Sequence, residues 1–379
     1  MPRAPGGRLA AWLSPDSAHS GSALECTVRY LTHTTYEQTL ETIKKSPFRI
    51  NLSGTLIMKL LKLLLVALPL ALSACGEPEQ AVKPVTTQQA PAETLRIGLV
   101  MKTLTNPFFI EMEKGARKAE SELGIRLIVK TAAQETSFEQ QVTIVDDLIH
   151  SESVDAIVIA PADAYHLIPS VKNALARKIP VVNIDARLDR KLLAESGIEG
   201  LPFVSVDNEQ GGYLSASTLL THVKEPTEAA ILEGIPSADN AEARKQGALR
   251  AFAENPAVTV VASETANWKI DKGYEVTKAM FAKHPGIKLI FAANDMMALG
   301  AIKYLADAGK SDVRVAAFDA LDEARSLLGQ GVLQATIDQQ AAEQGYQGVL
   351  YAMRLLKGET LPAETLLNVK LVTEPPLKQ

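Results

Sequence analysis

The sequence predicts an α/β protein of two lobes, each a doubly wound parallel sheet covered by helices. Three observations predict it. From Leu95 onward, short apolar runs dense in Val, Ile and Ala recur without polar alternation, as strands buried on both faces do. Amphipathic segments lie between the runs, the strand–helix order that builds parallel sheets. The alternation also runs twice. One set ends near Asp207 and a second begins near Ala229, about 110 residues for each lobe, an ordinary domain size.

The elements follow in chain order. Residues 1–57 show no core pattern and are expected to be a dispensable upstream extension. Met58–Cys75 reads MKLLKLLLVALPLALSAC. Lys59 and Lys62 form a charged start, Leu63–Leu72 an apolar core, and Ser73 and Ala74 are small residues before Cys75. That is the layout of a secretory signal, expected over residues 58–74. Its apolar stretch falls short of the ~20 residues of a comfortable span. Residues 75–94 are rich in Pro, Gln, Thr and Glu and read as a flexible tether.

Nine runs are expected to be strands: Leu95–Met101, Arg126–Thr131, Ala156–Pro161, Val181–Asp185, Phe203–Asp207, Ala229–Gly234, Val258–Ser263, Leu289–Asn294 and Val313–Asp319. Pro107–Leu123 is expected to be a helix. Phe109, Met112, Ala116, Ala119 and Leu123 recur at spacings of three and four, and Pro107 suits a first turn. Leu333–Gln340 and Leu366–Val372 read as extended segments flanking a helix at Ala341–Leu356.

Composition excludes several classes. Hydrophobic residues make up 46% and charged residues 22%, which rules out global disorder. A net charge of −5 gives no electrostatic hold on nucleic acid. Cys26 and Cys75 are the two cysteines, too few for a zinc cage. There is no HExxH, GxSxG or GxxxxGK[ST], and the first strand–helix turn, GLVMKTLTNPFF, lacks GxGxxG. No enzyme activity, metal or cofactor is implied.

Polar and aromatic residues gather instead after the predicted strands, where open α/β sheets bind ligands. Asn106, Phe108 and Phe109 follow the first strand, Asp185 ends the fourth, and Arg244 comes after the sixth. Trp268 follows the seventh, Asn294 the eighth and Asp319 the ninth, with Gln339 in the return segment. Carboxylates, amides and a guanidinium match paired hydroxyls, and aromatic planes match the C–H face of a sugar ring. Each residue also has a plainer reading: Asp185 and Asp319 as helix caps, Phe109 as core, Trp268 as a surface residue, Arg244 paired with Glu242.

TLTNPFF (Thr103–Phe109), FAANDMMALGA (Phe291–Ala301), VAAFDALDEA (Val315–Ala324) and LQATIDQQ (Leu333–Gln340) resemble the ribose-binding class of periplasmic sugar-binding proteins, over about Leu95–Val372. The resemblance implies a three-segment hinge, with crossings near Asp207, Gln339 and Asn368. The first lobe would hold residues 95–206 and 341–366, the second 207–338 and 369–379. It implies that Asn106, Phe108, Phe109 and Asp185 bind a small sugar or polyol from the first lobe. Arg244, Trp268, Asn294 and Asp319 would do so from the second and Gln339 from the hinge, with the ring between Phe109 and Trp268. Leu72–Cys75 resembles a bacterial lipobox, which implies lipidation at Cys75. The expected protein is a monomeric, membrane-anchored lipoprotein of the periplasm or cell envelope, delivering its ligand to an ABC-type permease. The alternative is a sensing subunit for a membrane receptor or histidine kinase. A repressor would need a helix-turn-helix where the lipobox stands. Ribose binders carry Asn and Arg where this chain has Ala160 and Ala186, with Asn183 and Arg187 near enough to compensate. Ribose is therefore expected to bind weakly, and a related pentose, hexose or polyol better.

Overall fold

The computed structural model describes residues 94–373. The signal segment, Cys75 and nearly all of the tether lie outside the described residues.

The first lobe is built on β1 (Arg96–Met101), β2 (Arg126–Thr131), β3 (Ala156–Ile159), β4 (Val181–Ile184) and β5 (Phe203–Val206). The second is built on β6 (Thr227–Glu233), β7 (Val258–Thr265), β8 (Ile287–Ala292), β9 (Arg314–Ala316) and β10 (Leu333–Asp338). β11 (Glu364–Leu367) joins the first sheet and β12 (Lys370–Thr373) the second, giving orders β11-β5-β4-β3-β1-β2 and β12-β10-β9-β8-β6-β7. All pairings are parallel except that of β10 with β12. Val, Ile and Ala occupy the central strands because both faces are covered: every residue of β3, β4 and β5 is buried. In each sheet the order reverses between the first and third strands of the lobe, and that switch point opens a crevice at the carboxyl ends.

Helices cover both faces. Those that position the site are α1 (Pro107–Leu123), α2 (Phe138–His150), α3 (Ile168–Ala176), α4 (Arg190–Glu195), α5 (Asn208–Ser217), α6 (Asp239–Ala253), α7 (Ile270–Lys283), α8 (Asp295–Asp307), α9 (Asp322–Gly329) and α10 (Ala341–Leu356). α1 starts as the sequence predicts: Pro107 fills its first turn, and the Asn106 side chain accepts from Phe108 N–H at 3.1 Å. It ends at Gly124, whose φ of 64° suits a residue without a side chain. α10 follows a second-lobe strand but packs on α1. The approach is backbone to backbone, since a Cβ on Gly115 would stand 1.7 Å from the Ala342 carbonyl oxygen.

Most expected strands shift by one or two residues at an end, and two expectations change further. The ninth strand is only Arg314–Ala316; Ala317 and Asp319 still donate their N–H groups to the Ala335 and Ile337 carbonyls of β10 at 2.8 Å each, and the chain turns away at Asp319, where φ is 121°. Leu366–Val372 is not one extended run but the end of β11 and most of β12, in different sheets. Asn368 and Val369 lie between them and carry the chain from one sheet to the other. The chain also passes between sheets after β5 and again between β10 and α10.

Candidate functional site

Asn106, Phe108, Phe109, Asp185, Arg244, Trp268, Asn294, Asp319 and Gln339 line one cavity between the lobes. Lys102, Glu135 and Asn240 line it too. The space they leave is about 20 Å³, room for roughly one water. Anything the size of a sugar ring must enter with the lobes apart.

The backbone aims several of these groups by adopting uncommon conformations. Asp185 has φ 66°, Trp268 φ 64° and Asp319 φ 121°. Asn267 and Ala320, beside Trp268 and Asp319, are also in the left-handed region, as is Gln340 beside Gln339. Such conformations cost on the order of 1–3 kcal/mol each and gather where function needs them. Neither Asp caps a helix: α4 is capped by Asp189, and Leu321 precedes α9. Trp268 is buried rather than on the surface. Glu242 pairs with Lys245 at 2.6 Å, leaving Arg244 to the cavity.

On the first-lobe side, Lys102 Nζ stands 2.8 Å from Asp185 Oδ2, both 2% exposed. Asn106 Nδ2 donates to Glu135 Oε1 at 3.0 Å. On the second, Arg244 is held on every side. Its Nε–H donates to Asn208 Oδ1 at 2.9 Å, Nη1 to the Ala293 carbonyl at 3.0 Å and Asp319 Oδ1 at 3.4 Å, and Nη2 to Gln339 Oε1 at 3.1 Å. A guanidinium has five N–H donors, so one remains for a ligand. Gln339 Nε2 donates to Asp319 Oδ1 at 2.6 Å. Asn294 caps α8 through Met297 N–H at 2.9 Å.

Three carboxylates (Glu135, Asp185, Asp319) face two cations (Lys102, Arg244) in this lining, an excess of acceptors that suits a ligand rich in O–H donors. Trp268 Nε1 and Asn240 Oδ1 are buried without a partner. One is a donor and the other an acceptor, and a hydroxyl group can satisfy either. The Trp268 indole lies flat on Gly234: a Cβ there would fall 2.0 Å from Cζ2. Gly234→Ala is therefore expected to push the indole out of place without altering any charged group. An altered Trp268 emission spectrum in a folded variant checks it.

Burial pushes the Asp319 carboxyl up to about 7 against the pull of Arg244. Burial also raises Glu135, and it raises Asp295, behind the site and beside Asp319, well above the usual range. A carboxyl raised in the folded state holds its proton when the unfolded chain has lost it. Its contribution to stability is thus present in full below about pH 4 and is lost as pH rises to about 7. Thermal unfolding against pH should show wild type losing ground to Asp319→Asn over that window.

Asn183 and Arg187 do not take up the role the sequence suggested for them. Asn183 points under the turn, donating to the Ala186 carbonyl at 2.7 Å and accepting from Leu188 N–H at 2.9 Å. Arg187 lies over the Phe203 ring, 3.9 Å from its centroid, and donates to Glu364 at 2.9 Å. Ala160 and Ala186 are fully buried and neither side chain lines the cavity. Beside Asn106 and Asp185, the further polar groups of this lobe are Lys102 and Glu135. Lys102 is the residue after β1, a lysine ending a buried strand. Glu135 lies in the loop after β2, where a strand-end search applies equally. Asn240 precedes Arg244 by four positions on one helix face.

This geometry has known counterparts. The periplasmic binding protein domain model matches residues 97–360. The chain belongs to the periplasmic binding protein family. The D-ribose/D-allose-binding protein of Pseudomonas aeruginosa is 39% identical over 294 residues, covering 76% of this chain and 90% of that protein. The ribose import binding protein of Escherichia coli K12 is 33% identical over 282 residues, 73% of this chain and 90% of that protein. Among solved structures, a periplasmic solute-binding protein of an ABC transporter from Actinobacillus succinogenes, with bound D-allose, superposes with a TM-score of 0.70. It is 38% identical and covers 74% of this chain and 98% of its own. The family consists of substrate-binding proteins rather than enzymes. Among the described residues no cluster of His, Cys, Asp or Glu could hold a metal ion.

Proposed function

We propose that this protein binds one monosaccharide between its lobes and delivers it to an ABC-type importer, with D-allose the first candidate. The observation that carries this is the ring of side chains around one cavity, drawn from both lobes and the hinge. In this reading Arg244, Asn294, Asp319, Asn240 and Gln339 bind hydroxyls from one side. Asn106, Asp185, Lys102 and Glu135 bind them from the other, and Phe108, Phe109 and Trp268 pack on the ring. A sugar that touches both halves only when they are closed shifts the open–closed equilibrium, and the closed surface is what a permease would recognise. The relatives support the choice of sugar. One named for ribose and allose is 39% identical, and a structure at 38% identity holds D-allose.

The chemistry of the first lobe favours a hexose over ribose. Where ribose binders use Asn and Arg, Lys102 and Glu135 reach the cavity from other loops, so an additional hydroxymethyl group can meet a charged partner. A thermal-shift screen of the chain from residue 76 onward tests this. A sugar at ~100 times its dissociation constant adds about 2.7 kcal/mol. D-Allose is expected to give the largest shift; a larger shift with ribose overturns the preference. Hydroxyls donate to ionised carboxylates, so affinity should rise with pH through about 7, the value of Asp319.

Lipid attachment at Cys75, a monomeric state and a place at the membrane of the periplasm belong to the same proposal. The Leu72–Cys75 lipobox-like sequence supports the lipid attachment and the place at the membrane. Cys75→Ala should leave an uncleaved or unlipidated product in the cell. An unmodified Cys75 in mature wild type, read by mass spectrometry, contradicts it.

A further inference from the structure

We infer that Asn208 is a positioning residue that sets the plane of the Arg244 guanidinium and ties it to the first crossing between the lobes; this rests on the sugar-binding reading above. Asn208 is the first residue of α5, two after the end of β5. Its amide works in two directions. Oδ1 accepts from Arg244 Nε–H at 2.9 Å, and Nδ2 donates to the Val206 carbonyl at 3.3 Å. Val206 is the last residue of β5, in the first-lobe sheet. One side chain thus joins the end of a first-lobe strand to the central cation of the second lobe.

The same helix fixes the face of the guanidinium as well as its edge. Phe318 stacks 3.7 Å from the guanidinium carbon. Phe318 is in turn seated on Gly211, where a Cβ would fall 2.6 Å from its ring. One residue on, a Cβ at Gly212 would stand 2.3 Å from the Arg244 carbonyl oxygen. α5 and α6 therefore meet at their backbones and cannot slide without collision. Within that rigid pair, Asn208 determines where the guanidinium fork points.

The second crossing is bound to the same cation. Gln339 accepts from Arg244 Nη2, and its own carbonyl accepts from Gln344 Nε2 on α10 at 2.8 Å. Two of the three crossings are hydrogen-bonded to one guanidinium. A ligand that engages its remaining N–H engages a group already registered to the hinge. Removing the Oδ1 acceptor frees rotation about the Nε edge and leaves a buried donor unpaired.

Three proteins test this: wild type, Asn208→Leu and Asn208→Asp, the last keeping the acceptor oxygen. Two readouts are used. Nitrogen-15 NMR follows the Arg244 Nε–H signal without any sugar, and calorimetry follows D-allose. Wild type and Asn208→Asp should show a slowly exchanging Nε–H; Asn208→Leu should lose its protection. D-Allose affinity should fall ~10–50-fold in Asn208→Leu and stay within ~3-fold in Asn208→Asp, consistent with loss of one charge-assisted bond. Equal loss in both variants, or a protected Nε–H in Asn208→Leu, overturns the inference. If Asn208→Leu does not fold, Asn208→Ser replaces it with the same expectation. If wild type binds no sugar, the proposed function fails, and the Nε–H signal alone decides the positioning role.

Discussion

Arg244→Met is expected to abolish measurable sugar binding and to lower stability by about 3–5 kcal/mol, the penalty for removing one partner of a buried ion pair. Arg244 is 2% exposed and its fork serves Asn208, Ala293, Asp319 and Gln339. Without it the Asp319 carboxylate is buried with Gln339 alone as donor, and that carboxyl should take up a proton. The melting temperature should drop on the order of 10 °C. Arg244→Lys separates charge from geometry. It restores a cation but not the planar fork, so stability should recover in part while binding stays lost. Differential scanning calorimetry and titration read the two effects apart. Near-wild-type affinity in Arg244→Lys would mean that the site uses only a point charge here.

Trp268→Ala should cost about 3–5 kcal/mol of stability, as buried large-to-small changes do. It should also weaken sugar binding ~100-fold. The indole is 4% exposed and lies across the cavity from the lobe that carries Phe109. Its Nε1–H is buried without a partner, so the residue offers both a plane and a donor. Trp268→Phe keeps the plane and removes the donor, and is expected to recover most of the stability but only part of the affinity. If Trp268→Ala binds sugar as wild type does, the indole is core and not a wall of the site.

The fold class was readable because the pattern is strong. Runs such as Ala156–Ile159 and Val181–Ile184 are buried on both faces, and only a sheet covered on both sides requires that. The boundaries are less readable where the backbone turns at the end of a run. The run Val313–Asp319 looks like one strand, but its last residues turn Asp319 toward the cavity at φ 121°, a conformation that composition does not announce.

The site was partly legible for the same reason. Asn106, Asp185, Trp268, Asn294 and Asp319 follow strand ends in the sequence, and the structure brings them around one cavity. Lys102 and Glu135 do not stand out in the sequence, because a lysine after a strand and a glutamate in a loop read as ordinary surface residues. Only their burial, 2% and 8% exposed, sets them apart. Asn183 and Arg187 stand close to Ala186 in sequence. A turn reverses direction within a residue or two, so neighbours of a site residue need not face the site.

The most direct test of the central claim is calorimetric titration of the mature protein with D-allose, D-ribose, other pentoses and hexoses, and polyols, paired with small-angle X-ray scattering. The account predicts one molecule of D-allose or a close relative per chain, a sub-micromolar dissociation constant of the order −8 kcal/mol or better, and a smaller radius of gyration on binding. No heat from any member of the panel, or binding without any contraction of the molecule, would contradict it.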